Sequence, residues 1–147
     1  MQYPTVVIAG LLGLILAAPA QADDAKPKLM RKGDLAGKML EGPDVYESTE
    51  DGNTTLDATS FMSSDERFGS GMYRSGPVRY EVDEPYGVDE FMYFIEGGVT
   101  LTSSDGTVQV VKAGEAVTVP KEWTGIWETK GYTKIWVIYS EDGSGLE

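Results

Sequence analysis

The sequence contains neither cysteine nor histidine. Without cysteine there are no disulfides, thiolate metal sites, cysteine nucleophiles or N-terminal lipidated cysteine. Without histidine there is no serine–histidine triad, no imidazole proton relay and no imidazole ligand, the donor that Fe, Ni, Cu and Zn favour. Basic residues are also scarce: 12 Lys and Arg stand against 24 Asp and Glu, for a net charge of -12. Binding to nucleic acid or anionic lipid requires clustered cations, so neither is an expected partner. No glycine-rich phosphate loop opens a helix, and no long amphipathic periodicity marks a helical domain.

Charge is missing altogether from residues 1–22, MQYPTVVIAGLLGLILAAPAQA. An apolar run from Val6 to Ala18 is broken by Pro19 and followed by Ala20-Gln21-Ala22, the small-x-small pattern of a signal-peptidase site. The run is shorter than the roughly 20 residues of a spanning helix. The expectation is a signal peptide cleaved before Asp23, a periplasmic or secreted product, and no stable membrane anchor after processing. Residues 23–34, DDAKPKLMRKGD, read as a mobile polar arm, and residues 35–147 as one domain.

What that domain does contain is short β-rich segments separated by Gly, Asp, Ser and Pro, the pattern of an all-β sandwich or barrel. Strands are expected at Thr54–Met62, Phe68–Arg74, Arg79–Val82, Glu90–Glu96, Val99–Ser103, Thr107–Lys112, Ala116–Val119, Gly125–Thr129 and Thr133–Tyr139. Gly97-Gly98 reads as a hairpin turn, Asp105-Gly106 as the next, and the short connections suggest an antiparallel meander.

Three stretches carry a family pattern: DEFMYFIEGGVTLTSSDG, VKAGEAVTVPKEWTGIWE and TKIWVIY. Glu90 is followed by six residues and Gly97, and Gly114 by five residues and Pro120. The pattern resembles the two cupin motifs, and within the cupins the subgroup of (S)-ureidoglycine aminohydrolase and ethanolamine-utilisation protein Q. The resemblance covers roughly residues 68–140. It implies a double-stranded β-helix, a jelly-roll-like barrel with a pocket at its mouth, and a homodimer as a candidate assembly.

The resemblance places Glu90 at the family's carboxylate ligand. The two histidines of the first motif fall on Asp83 and Pro85, or on Glu84 and Tyr86, and that of the second on Gly125. A metal-free pocket is therefore expected; any metal would be manganese or another hard divalent cation held by Glu90 with Asp83 or Glu84. Without metal, Glu90 is either an acid–base group in an apolar mouth or the partner of Arg74, Arg79 or Lys134. The subgroup resemblance puts a lysine at Lys134, which makes Glu90–Lys134 the leading polar pair.

Strand alternation puts Glu90 and Met92 on one face, with Tyr93 on the other, and puts Lys134 and Trp136 together on the last strand. The expected lining is Glu90, Met92, Trp127, Lys134 and Trp136, with Tyr73 and Arg74 competing for a place from a neighbouring strand. The preferred function is binding of a small polar metabolite. The alternatives are a hydrolase, ureidoglycine aminohydrolase-like, or a lyase or isomerase, in which Glu90 moves a proton and Lys134 or an arginine holds a substrate carboxylate. The third reading is a dimeric structural or interaction protein.

Overall fold

The structure, a computed structural model, describes residues 26–146. The expected signal peptide and the first residues of the polar arm lie outside that range. The elements are a one-turn helix α1 (Lys32–Leu35), a 3-10 turn (Lys38–Glu41) and nine strands: β1 (Tyr46–Glu50), β2 (Asn53–Met62), β3 (Phe68–Ser75), β4 (Val78–Val82), β5 (Asp89–Ser103), β6 (Val108–Lys112), β7 (Ala116–Val119), β8 (Gly125–Thr129) and β9 (Tyr132–Tyr139). The architecture is all-β, as expected, and its curled antiparallel sheet matches a jelly-roll barrel.

The strand order is not that of a meander. It runs β1-β2-β3-β9-β5-β8-β4, with β6 and β7 both on β5, so β9 inserts between β3 and β5. The meander expectation failed because short turns fix only local hairpins, whereas the remaining pairings are set by which faces can be buried together.

Nor do Gly97 and Gly98 form a hairpin. β5 runs through both as a single 15-residue strand. Its first part pairs with β7 and β9, and its last part with β6 and β8, so it links the two sides of the barrel. The glycines serve close backbone approach instead: a Cβ on Gly97 would collide with the Gly131 carbonyl, and one on Gly98 with that of Val111. Gly97 also has φ 67°, the left-handed region. β1, YESTE, lacks an apolar alternation and was not expected; it is an exposed strand registered on β2 from Tyr46↔Asp57 to Glu50↔Asn53.

The barrel core is a cluster that includes Met92, Phe94, Val99, Leu101, Val119, Trp127 and Tyr132, all buried. Burial of each large side chain contributes about 1.5–3 kcal/mol. A second cluster lies on the outside of the β2–β3 sheet, where Met30, Leu35 and Leu40 from the N-terminal turns pack with Ala58 and Met72. This outer cover leaves the inner faces of β2, β3, β5 and β9 free to build the site.

Candidate functional site

Registers bring one row of side chains to the inner face. Asp57 on β2 is opposite Tyr73 on β3, and Tyr73 is opposite Lys134 on β9. Across β9, Lys134 is opposite Phe94, Trp136 opposite Met92 and Ile138 opposite Glu90, all on β5. These strands frame a cavity of about 650 Å³ whose walls include Glu90, Lys134, Tyr73, Trp127 and Trp136.

At its floor, Lys134 Nζ donates to Glu90 Oε1 at 2.6 Å and to Met92 Sδ at 3.1 Å. The Tyr86 hydroxyl donates to the other carboxylate oxygen, Oε2. Glu90 thus accepts from two side chains in a water-poor site, where charge-assisted bonds are strong. Burial pushes the Tyr86 phenol well above its ordinary value, and the charge and hydrogen bond of Glu90 push in the same direction. Tyr86 is therefore a neutral donor at physiological pH.

The ammonium of Lys134 also faces aromatic rings. Its Nζ lies 5.4 Å from the centroid of Tyr73, 5.5 Å from Trp127 and 5.8 Å from Tyr132, within cation–π range. The Trp127 ring stacks with Tyr80 at 6.0 Å and with Tyr86 at 6.5 Å. Its indole N–H is buried without a hydrogen-bond partner. Burial raises the Tyr80 and Tyr132 phenols above their ordinary values too. On the wall, Trp136 Nε1 donates to Asp57 Oδ1 at 3.1 Å. Burial raises the Asp57 carboxyl, and this hydrogen bond only partly opposes the shift.

The expected residues divide accordingly. Glu90, Lys134, Tyr73, Trp127 and Trp136 meet at the cavity. Met92 has the expected facing but is fully buried beneath the lysine and is not among the lining residues. Arg74 is excluded by alternation: its Nε donates to Thr133 Oγ1 at 3.1 Å, on the opposite face from Tyr73. Arg79 does not reach Glu90 either; it pairs with Glu81 and Glu128. Asp83 and Glu84 are exposed and lie outside the cavity lining. Sequence reasoning missed Asp57, Tyr80 and Tyr132. It had reached Tyr86 only as one alternative for a ligand position, and alternation with Lys134 on β9 could have identified Tyr132.

The donors present do not fit a cupin metal. Glu90 already holds an ammonium, and its other oxygen accepts from a phenol. Among the described residues there is no group of three or more His, Cys, Asp or Glu side chains arranged to hold an ion.

A curled antiparallel barrel with the motif carboxylate on its inner face is the arrangement expected of a cupin. Residues 62–134 match the family model described as EutQ-like cupin domain, and the chain carries a cupin domain of that family. Among solved structures it is similar to the EutQ protein of Clostridium difficile, with TM-score 0.53 and 21% identity over 65% of this chain and 75% of that one. It is also similar to a putative ethanolamine utilization protein Q from Salmonella typhimurium, with TM-score 0.51 and 14% identity over 67% and 95% of the two chains. A DUF861-family protein of unknown function from Pseudomonas syringae pv. tomato has TM-score 0.56 and 22% identity, over 64% of this chain and only 43% of its own length. At these identities the likeness shows the fold alone. No curated protein matches the sequence.

Proposed function

We propose that this chain is an exported cupin-domain protein that binds a small polar molecule in the barrel mouth without a resident metal. The observation that carries the reading is the cavity of about 650 Å³, a size typical of small-molecule sites. Its polar groups include the carboxylates of Asp44, Asp57 and Glu90 and the Lys134 ammonium, with aromatic rings around them. Export rests on residues 1–22; amino-terminal sequencing of the secreted or periplasmic protein should begin at Asp23.

Binding is tested by isothermal titration and ligand-observed NMR against a broad panel of metabolites, on protein prepared without a histidine tag. A compound that binds wild type and is displaced or lost in Trp127→Ala supports the reading. A panel with no binder would reject it. Turnover of a bound compound that vanishes in Glu90→Gln would make Glu90 the acid–base group of a hydrolase or lyase. Metal analysis of the same preparation should find well under one equivalent of manganese per chain.

A second reading, self-association, is favoured by the outer face of the sheet. Phe68 lies opposite Tyr139 and Phe91 opposite Val137, and Phe68, Phe91, Tyr93 and Tyr139 are all exposed. Contiguous exposed apolar surface of this kind marks interaction sites. Light scattering should give a dimer mass that Phe91→Glu reduces to that of a monomer.

A further inference from the structure

The charge inventory of the cavity narrows the class of molecule it can take, an inference that rests on the small-molecule reading above. Among the described residues three carboxylates line the cavity, those of Asp44, Asp57 and Glu90, and Lys134 is the one basic lining residue. The lysine is already engaged: it is 2.6 Å from Glu90 and 3.1 Å from Met92 Sδ, with a side chain 7% exposed. Arg74, next to Tyr73 on β3, is on the opposite face. Among the described residues no lining cation is left to receive a ligand carboxylate or phosphate, and Asp57 on the wall and Asp44 at the rim have no cationic partner among the described ion pairs.

The aromatic walls point the same way. Tyr73, Trp127 and Tyr132 already surround the lysine ammonium at 5.4–5.8 Å, which shows that this wall solvates positive nitrogen. Tyr46 and Trp136 extend the aromatic lining, and Asp57 accepts from Trp136 Nε1. A positively charged group beside Asp57 and Trp136 would gain both a carboxylate and a ring face in a low-dielectric wall. The net charge of -12 on the chain favours approach of cations and opposes anions.

We infer that the cavity selects an organic cation, a protonated amine or quaternary ammonium compound, held between the Asp57 carboxylate and the aromatic walls. The floor pair Glu90–Lys134 then acts as a positioning unit and takes no part in charge recognition.

The test uses three probes of matched shape on the chain from residue 23: choline, its neutral carbon analogue 3,3-dimethylbutan-1-ol, and the anion 3,3-dimethylbutanoate. Binding is read by saturation-transfer NMR and titration calorimetry at low salt. Choline should bind at least tenfold more tightly than the neutral analogue, and the anion not at all. Asp57→Asn should weaken choline at least tenfold without weakening the neutral probe, and the surface variant Arg79→Ala should change neither. Neutral or anionic binding equal to or tighter than choline overturns the charge selection while leaving the small-molecule reading standing. If none of the three binds, and the metabolite panel is also silent, both fall; a panel hit that is neutral or anionic sinks the cation inference alone. The wild-type comparison decides the matter even if Asp57→Asn does not fold.

Discussion

Lys134 and Glu90 face one another from adjacent strands, Nζ to Oε1 at 2.6 Å, with side chains 7% and 4% exposed. Each ion compensates the desolvation of the other, so removal of one leaves a buried unpaired charge, which costs about 3–5 kcal/mol. Lys134→Met and Glu90→Gln should each lower stability by about that amount in urea denaturation. The double variant should recover most of the loss, because two apolar or neutral groups of similar volume need no counter-charge. Additive losses in the double variant would show that the two side chains are not coupled as the geometry requires.

The Tyr86 hydroxyl is the second donor to Glu90. Tyr86→Phe leaves the ring packed but strips Glu90 Oε2 of its partner, and a hydrogen bond to a charged group contributes about 1.5–3 kcal/mol. That loss should appear as a lower urea midpoint with an unchanged slope. Retention of the wild-type midpoint would mean that this bond contributes nothing net.

Alkaline behaviour follows from the same ring and its neighbours. The phenols of Tyr86 and Tyr132 are raised above the ordinary value of 10.0, with burial the leading cause. In the unfolded chain they release protons near pH 10, and in the folded chain they do not. Above that pH the unfolded state therefore binds fewer protons, and stability falls as pH rises. The stabilisation is complete below about pH 10 and is lost progressively above it. A spectrophotometric titration should show these tyrosines ionising together with unfolding. Smooth ionisation of Tyr86 and Tyr132 near pH 10 in the folded protein would contradict their burial.

The site was legible in the sequence where a motif fixed a strand and failed where distant strands met. Glu90 follows from the spacing to Gly97, and Lys134 and Trp136 share a face because they are two apart on β9. Asp57 was invisible because β2 reaches the cavity only through the registers β2–β3 and β3–β9, which local patterning does not encode. Arg74 and Tyr73 competed for one place, and only the observed facing of β3 separates them. The fold class was legible from punctuation and alternation, but Gly97-Gly98 reads identically as a turn and as a close crossing. The difference lies in the carbonyls of Gly131, in the β8–β9 turn, and of Val111, on β6, both distant in the sequence.

Gly71 tests how tightly the wall is built. It lies opposite Trp136 on β9, and a Cβ there would meet the Ala58 carbonyl and approach Trp136 Cζ2 to 2.6 Å. Overpacking of this kind costs about 1–3 kcal/mol, so Gly71→Ala should lower the melting temperature and shift Trp136 fluorescence. An unchanged melting temperature would show that β3 and the indole can separate without penalty.

Asp57 links stability to the inferred ligand. Its carboxyl is raised by burial more than the Trp136 hydrogen bond lowers it, so the ionised form is held at a cost in the folded chain. A group with a raised folded value contributes stability below its unfolded value, near pH 4, and loses it as pH climbs through the folded value. Asp57→Asn keeps an oxygen for Trp136 Nε1 and removes the charge. At pH 7 it should therefore be more stable than wild type, by up to about 1 kcal/mol given the partial exposure of the site. The gain should shrink as pH falls below about 4, where wild-type Asp57 is protonated. Thermal melts of both proteins across pH 3–8 check the sign. A variant less stable than wild type at pH 7 would mean that Asp57 is held by a favourable charge partner, and the case for an organic cation as its missing counter-ion would lose its footing.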